Sequence, residues 1–274
     1  FFYGANTAGA VIGSLLAGFY LLRAYDVVVA TYVAVAINVV VALVALALAR
    51  RTPYQSQQII PSNHMATSSS KGVYIVVGLS GLTALGAEVI WTRQLSLLFG
   101  PTVYTFSIIL AVFLTGIGIG SAYGALLAKT IRRPAIALAI CQLLLVLAIP
   151  FAAAMIIDVI PYWFSQRHAG QSIWERMIQD LVRAAAALLP ATCLWGASFP
   201  LAVSAAGTRD EDAGGLVGRV YASNTVGAIL GSLFFSLLAL PLLGSQGSQQ
   251  ALTFLAALGG IFLLCSTMVT SRHE

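Results

Sequence analysis

Tyr3-Gly-Ala-Asn-Thr-Ala-Gly-Ala-Val-Ile-Gly-Ser-Leu15 and Tyr221-Ala-Ser-Asn-Thr-Val-Gly-Ala-Ile-Leu-Gly-Ser-Leu233 carry eight identities in thirteen positions. Tyr3, Asn6, Thr7, Gly9, Ala10, Gly13, Ser14 and Leu15 recur as Tyr221, Asn224, Thr225, Gly227, Ala228, Gly231, Ser232 and Leu233, each 218 positions later (221 − 3 = 218). Membrane helices overuse Gly and Ala, but Tyr, Asn and Thr in the same register mark an internal repeat. Duplicated blocks of membrane helices build many bundle folds. The chain opens inside this motif at Phe1, without a methionine, which fits the later part of a longer protein.

Working outward, hydrophobic residues make up 59% of the chain and charged residues 8%. Soluble domains average roughly 25% charged, so the composition is that of a chain in lipid. Cys141, Cys193 and Cys265 all lie in apolar segments and lack the spacing of a metal or redox site. His64, His168 and His273 fall in polar connections, as surface residues do. No metal and no cofactor is expected. The net charge of +5 is placed in loops and is a signal of topology, not of nucleic-acid binding.

A span needs about 20 apolar residues. Eight stretches qualify: 2–22, 27–49, 73–98, 102–128, 135–164, 183–206, 217–240 and 250–270. The fifth contains Pro150 and Pro161 and is expected to kink or end early. Basic residues in alternate loops set the orientation. One side receives Arg50, Arg51, Lys71, Lys129, Arg132, Arg133, Arg209, Arg219 and Arg272, and the other Arg23, Arg167, Arg176 and Arg183. Nine against four places both ends in the cytoplasm.

The first span matches the seventh, so one repeating unit is six spans. Residues 1–49 are then the last two helices of a first unit, 50–71 a cytoplasmic linker rich in Ser and Gln, and 72–274 a complete second unit. The expected fold is an all-α polytopic membrane protein of about eight helices, part of a 6+6 bundle with parallel units. In the 165–183 connection, Ile173, Trp174, Met177, Ile178, Leu181 and Val182 share one helical face, and Ser172 to Glu175 forms a capping-box signature. It is expected to lie as an interfacial helix on the outer leaflet. The other reading makes it an extension of the sixth span.

Polar residues within spans are candidate sites, since burying them in lipid is costly. Glu88 falls mid-span and Arg93 five residues later, a spacing unlike the i,i+4 pair of one helix. The two residues form either a coupling carboxylate with an arginine for substrate or gate, or ion pairs that lock helices. Asn6 and Asn224, equivalent by the repeat, either line a central path or bond between helices. Gly9 with Gly13, Gly227 with Gly231, and the ladder Gly116, Gly120 and Gly124 are packing faces. No residue is a catalytic candidate.

Gly86-Ala-Glu-Val-Ile-Trp-Thr-Arg-Gln-Leu95, Tyr104-Thr-Phe-Ser-Ile-Ile-Leu-Ala-Val-Phe113, Gly116-Ile-Gly-Ile-Gly-Ser121 and Arg219-Val-Tyr-Ala-Ser-Asn-Thr-Val-Gly-Ala228 resemble one bacterial group. This group joins a facilitator-like membrane bundle to a spermidine-synthase-like domain. The resemblance implies a membrane domain of an aminopropyltransferase-related protein in the bacterial inner membrane, anchoring the enzyme or handling a polyamine-type substrate or product. It implies as partners the lipid bilayer and a cytoplasmic synthase-like domain or other membrane subunits. Aminopropyl transfer itself needs a Gly-rich turn after a strand, and Gly214-Gly-Leu-Val-Gly218 instead enters a membrane helix. Nor does Gly120-Ser-Ala-Tyr-Gly124, leading to Lys129, Arg132 and Arg133, carry the acidic residue usual in the matching facilitator loop. A secondary transporter using Glu88 and a structural subunit of a larger complex are the other two readings.

The charge distribution makes a direct prediction. A cysteine at Ser69, in a chain freed of its own three cysteines, should resist impermeant thiol reagents in intact cells and react after permeabilisation. Labelling from outside would invert the topology.

Overall fold

In hydrocarbon no water meets the backbone, so each apolar stretch must satisfy its own amide groups, and the helix does this within one segment. The computed structural model describes residues 2–51, 68–163, 172–207 and 213–270. The elements are α1 (Phe2–Leu16), a π turn (Ala17–Leu21), α2 (Leu22–Ala24), α3 (Val27–Arg51), α4 (Ser68–Phe99) and α5 (Val103–Thr130). They continue with α6 (Pro134–Ala154), a second π turn (Met155–Val159), α7 (Ile173–Ala206), α8 (Ala213–Phe234), a third π turn (Phe235–Ala239) and α9 (Leu240–Thr270). Among the described residues there is no strand.

Among the described residues, six helical segments are long and apolar enough to cross a membrane. One of them, Gly214–Val269, is 56 residues long and breaks at Gly244, whose φ of 67° is a conformation that suits glycine. The apolar stretch Thr7–Leu21 is shorter. Local chemistry sets the helix starts. Thr102 accepts from the Thr105 amide at 3.2 Å to begin α5, after Gly100 (φ 102°) closes the turn from α4. Pro134 occupies the first turn of α6, where its missing N–H is no loss. Polar side chains on the exposed α3 bond back to their own helix: Thr31 donates to the Val27 carbonyl and Asn38 to that of Ala34.

The expected interfacial helix is absent. Ser172 and Glu175 do form the capping box, but α7 then runs unbroken from Ile173 to Ala206. The physical reason lies in Arg183. It pairs with Asp180 within α7 at 3.3 Å and donates to the Trp163 carbonyl in the turn after the π turn, so the start of α7 is tied to the end of the fifth span. The expected disruption of the fifth span is present: Pro150 lies within α6 and Pro161 in the turn after the π turn. Residues 52–67 of the expected linker, the three histidines and the acidic Asp210 to Asp212 loop lie outside the described residues.

Glycines set the closest approaches. A Cβ on Gly227 would lie 1.9 Å from the Gly78 carbonyl oxygen, and one on Gly231 2.2 Å from that of Leu82, so α8 runs parallel to α4 with backbones touching. In the same way, a Cβ on Gly120 would meet the Cys193 carbonyl at 1.9 Å, and one on Gly124 would meet Ala197 at 2.7 Å, binding α5 to α7. Gly116 faces Thr192, and Gly196 faces the Ile117 carbonyl. The ladder predicted to be a packing face is one. α9 packs antiparallel to α4 and to α6, with Gly86 against Leu252 and Gly260 against Leu143. α1 lies on α5, where Thr7 meets Gly118 and Gly18 meets Ser107. α3 buries none of its residues.

Gly120→Val should therefore destabilise the protein by about 1–3 kcal/mol, the usual cost of overpacking a fitted interface. Thermal unfolding in detergent measures it, and an unchanged midpoint would contradict the α5–α7 contact.

Candidate functional site

Along α4, positions 81, 84, 85, 88 and 92 recur at the three- and four-residue spacing of one helix face. Gly81 holds the main-chain carbonyl of Asn224 in α8, 2.2 Å from where a Cβ would be. Ala84 is buried, and Glu88 one turn further on is half-buried. Arg93, about 140° around the helix at 100° per residue, is exposed. Among the described residues Glu88 makes no hydrogen bond and no ion pair, and it does not meet Arg93; the ion pair present is Arg183 with Asp180. The inward-turned face was expected, whereas the polar partner expected for Glu88 is not among the described residues.

Beside this face lies an aromatic cluster that fills the core. Trp91 and Trp195 have ring centroids 5.7 Å apart, and Phe113 stacks on Trp195 at 6.1 Å. Trp195 Nε1 donates to Thr83 Oγ1 at 3.1 Å, while the indole nitrogen of Trp91, a residue 0% exposed, has no acceptor. A buried N–H without a partner is uncommon. It stands three residues from Glu88 on the same helix.

The other site candidates separate by role. Asn224 is half-buried and makes no side-chain hydrogen bond among the described residues; both its carbonyl and its Oδ1 pack on Gly81, 2.2 and 2.8 Å from where a Cβ would be. The polar link between α8 and α4 is instead made by the adjacent Ser223, whose hydroxyl donates to the Tyr74 carbonyl at 2.6 Å. Asn6 lies in α1, and its side chain is outside the described residues. Among the described residues nothing lies within 4 Å of a Cβ on Gly9 or Gly13. No group of His, Cys, Asp and Glu that could hold a metal occurs among the described residues.

Three buried polar residues were missed by the sequence reading. Gln142 of α6 donates to Ser198 of α7 at 3.0 Å, and Gln249 of α9 donates to Gln94 of α4 at 2.7 Å. Gln249 also lines a cavity of about 430 Å³ between α6 and α9, with Pro150, Gln246, Gln250 and Thr253. Residues 241–249 fall between the seventh and eighth expected spans, whereas helix resumes directly after Gly244 and buries Ser248 and Gln249, leaving Gln246 and Gln250 exposed. Their signal was present as helical spacing, since Gln249 stands three and seven residues before the buried Leu252 and Ala256 of α9. Comparison with models of known protein families, with curated proteins and with solved structures gave no match.

Gln94→Leu should cost about 1–3 kcal/mol, because Gln249 would be left buried without a partner. The double variant with Gln249→Leu should recover part of that loss, since both polar groups are then removed. Thermal unfolding of the two single variants and the double gives the coupling.

Proposed function

We propose that the chain is a multi-pass membrane domain of a spermidine-synthase-like protein, and that it handles a polyamine-type substrate or product at Glu88. The observation that carries this reading is the carboxyl of Glu88, half-buried within a membrane-length helix, with no counter-charge among the described residues. A carboxylate in that setting is costly unless a cation shares the site, and a protonated amine is such a cation. The motif around Glu88, Gly86 to Leu95, is also the one that resembles the fused synthase proteins. Chemistry on the amine would belong to a synthase-like domain on the cytoplasmic side.

The reading includes a 6+6 bundle with eight of its spans in this chain, both ends on the cytoplasmic face of a bacterial inner membrane. Its support is an agreement in register beyond the sequence repeat. The π turns Ala17–Leu21 and Phe235–Ala239 lie 218 positions apart (235 − 17 = 218), the offset of the repeat itself. Ser14 donates to the Val11 carbonyl at 2.9 Å, and its counterpart Ser232 donates to that of Ile229 at 3.0 Å. The same duplication favours a second reading, a facilitator-like secondary transporter in which Glu88 couples proton or cation movement.

Spermidine should raise the melting temperature of the whole purified protein, and Glu88→Gln should abolish that rise while leaving the unliganded midpoint nearly unchanged. An equal response in the variant would remove Glu88 from the amine reading. Proton-driven uptake into proteoliposomes that is lost in Glu88→Gln would select the transporter.

A further inference from the structure

α1 and α8 share their motif, their π turn and their serine hydrogen bond, yet among the described residues only one of them has its glycine face covered. In α8, Gly227 and Gly231 press against the main chain of α4 at Gly78 and Leu82. The counterparts in α1, Gly9 and Gly13, meet nothing within 4 Å among the described residues, and Ile12 beside them is 65% exposed. The face that α1 does use is a different one: Thr7 and Gly18 lie on α5. At 100° per residue, Gly9 and Gly13 stand roughly 200° and 240° around the helix from Thr7. The open glycines are thus on the far side from α5.

We propose that the Gly9/Gly13 face of α1 is a docking surface for a parallel transmembrane helix of the α4 kind, supplied by the first unit of the repeat. The inference rests on the two-unit reading and adds to it a partner, a face and a direction. The template is the α4–α8 contact. Gly78 and Gly81 let α4 come so close that a Cβ on Gly81 would lie 2.2 Å from the Asn224 carbonyl. The docking helix therefore carries glycine or another small residue at those two positions, and its main chain passes over Gly9 and Gly13. A second copy of this chain is a poor source for it. The matching face of its own α4, at Gly78, Gly81 and Leu82, is already filled by α8. In a membrane there is no hydrophobic force between helices, so close small-residue contact is what would hold this pair together.

The test uses the sign of a glycine-to-alanine change in the whole protein purified in detergent. On an uncovered helix face, alanine is neutral or stabilising, because glycine is the poorer helix former; on a covered one, its methyl collides. Gly218→Ala, on an exposed glycine of α8 with nothing within 4 Å, sets the uncovered reference, and Gly227→Ala sets the covered one. Gly9→Ala and Gly13→Ala are expected to lower the melting temperature as Gly227→Ala does. If they instead match Gly218→Ala while Gly227→Ala lowers it, the docking proposal is overturned and the two-unit reading stands. If Gly227→Ala too has no effect, the α4–α8 template fails, and the proposal fails with it. A loss at Gly9 that varies with protein concentration, with dimers seen by light scattering, would put a second copy on the face and also overturn it. Spin labels give a readout free of stability. Oxygen should reach a label at Ile12→Cys and be excluded from one at Gly13→Cys, and equal access would overturn the proposal.

Discussion

Backbone-to-backbone contact at glycine is the constraint on which the bundle depends. Lipid chains are as apolar as leucine, so burying a leucine between helices gains little over leaving it in the bilayer. What remains is dispersion at short range, and it weakens quickly with even a small gap. Two parallel pairs, α4 with α8 and α5 with α7, meet this condition by leaving out side chains at Gly78, Gly81, Gly227 and Gly231, and at Gly116, Gly120, Gly124 and Gly196. Those pairs define the frame into which the larger residues fit. Trp91, Trp195 and Phe113 fill the volume between α4, α5 and α7, and their indoles could not sit there if the frame were wider.

Hydrogen bonds do the orienting that glycine contacts cannot. A glycine face permits sliding along the helix, whereas a donor and an acceptor fix one register. Gln142 to Ser198 fixes α6 against α7, Gln249 to Gln94 fixes α9 against α4, and Trp195 to Thr83 fixes α7 against α4. Ser223 to the Tyr74 carbonyl does the same for α8. Every one of these uses a neutral side chain. Glu88 is outside this set: it is a charged type, half-buried, and holds no helix in place. A polar group that does no structural work in such a setting is the reasonable place to look for a ligand.

The helical class and the places of the apolar segments were legible, because hydropathy is a property of each residue and needs no knowledge of its neighbours. So were the Ser172 cap, the role of the Gly116 to Gly124 ladder, and the separation of Glu88 from Arg93 around α4, all of which depend on local spacing. Tertiary satisfaction was not legible. The 165–183 connection read as an interfacial helix because the Trp163 carbonyl that receives Arg183 lies 20 positions away in the chain. Gln249 fell between the expected spans because its partner, Gln94, is on another helix. Asn224 drew attention as a polar side chain, while its neighbour Ser223 makes the bond. The choice between adjacent polar residues on a helix turns on which faces the partner, and one chain's sequence does not give that angle.

The π turns show how a repeat can preserve geometry without preserving residues. Ala17-Gly-Phe-Tyr-Leu21 and Phe235-Ser-Leu-Leu-Ala239 have no identity in register, and their surroundings differ, with Gly18 on Ser107 and Phe235 on Gly86. Their common property is positional. Residues spaced by four drift about 40° per step on an α-helix, so a stripe at 227, 231, 235 and 239 would wind off the face that α4 covers. One turn with i→i+5 bonding takes up the excess and keeps the stripe straight. All four of those residues are buried. The equivalent stripe in α1, 9, 13, 17 and 21, is straightened by its own π turn although no described helix lies over its glycines. The turn is therefore not a response to that contact; it belongs to the helix, and it keeps the face of α1 in the shape that α8 uses.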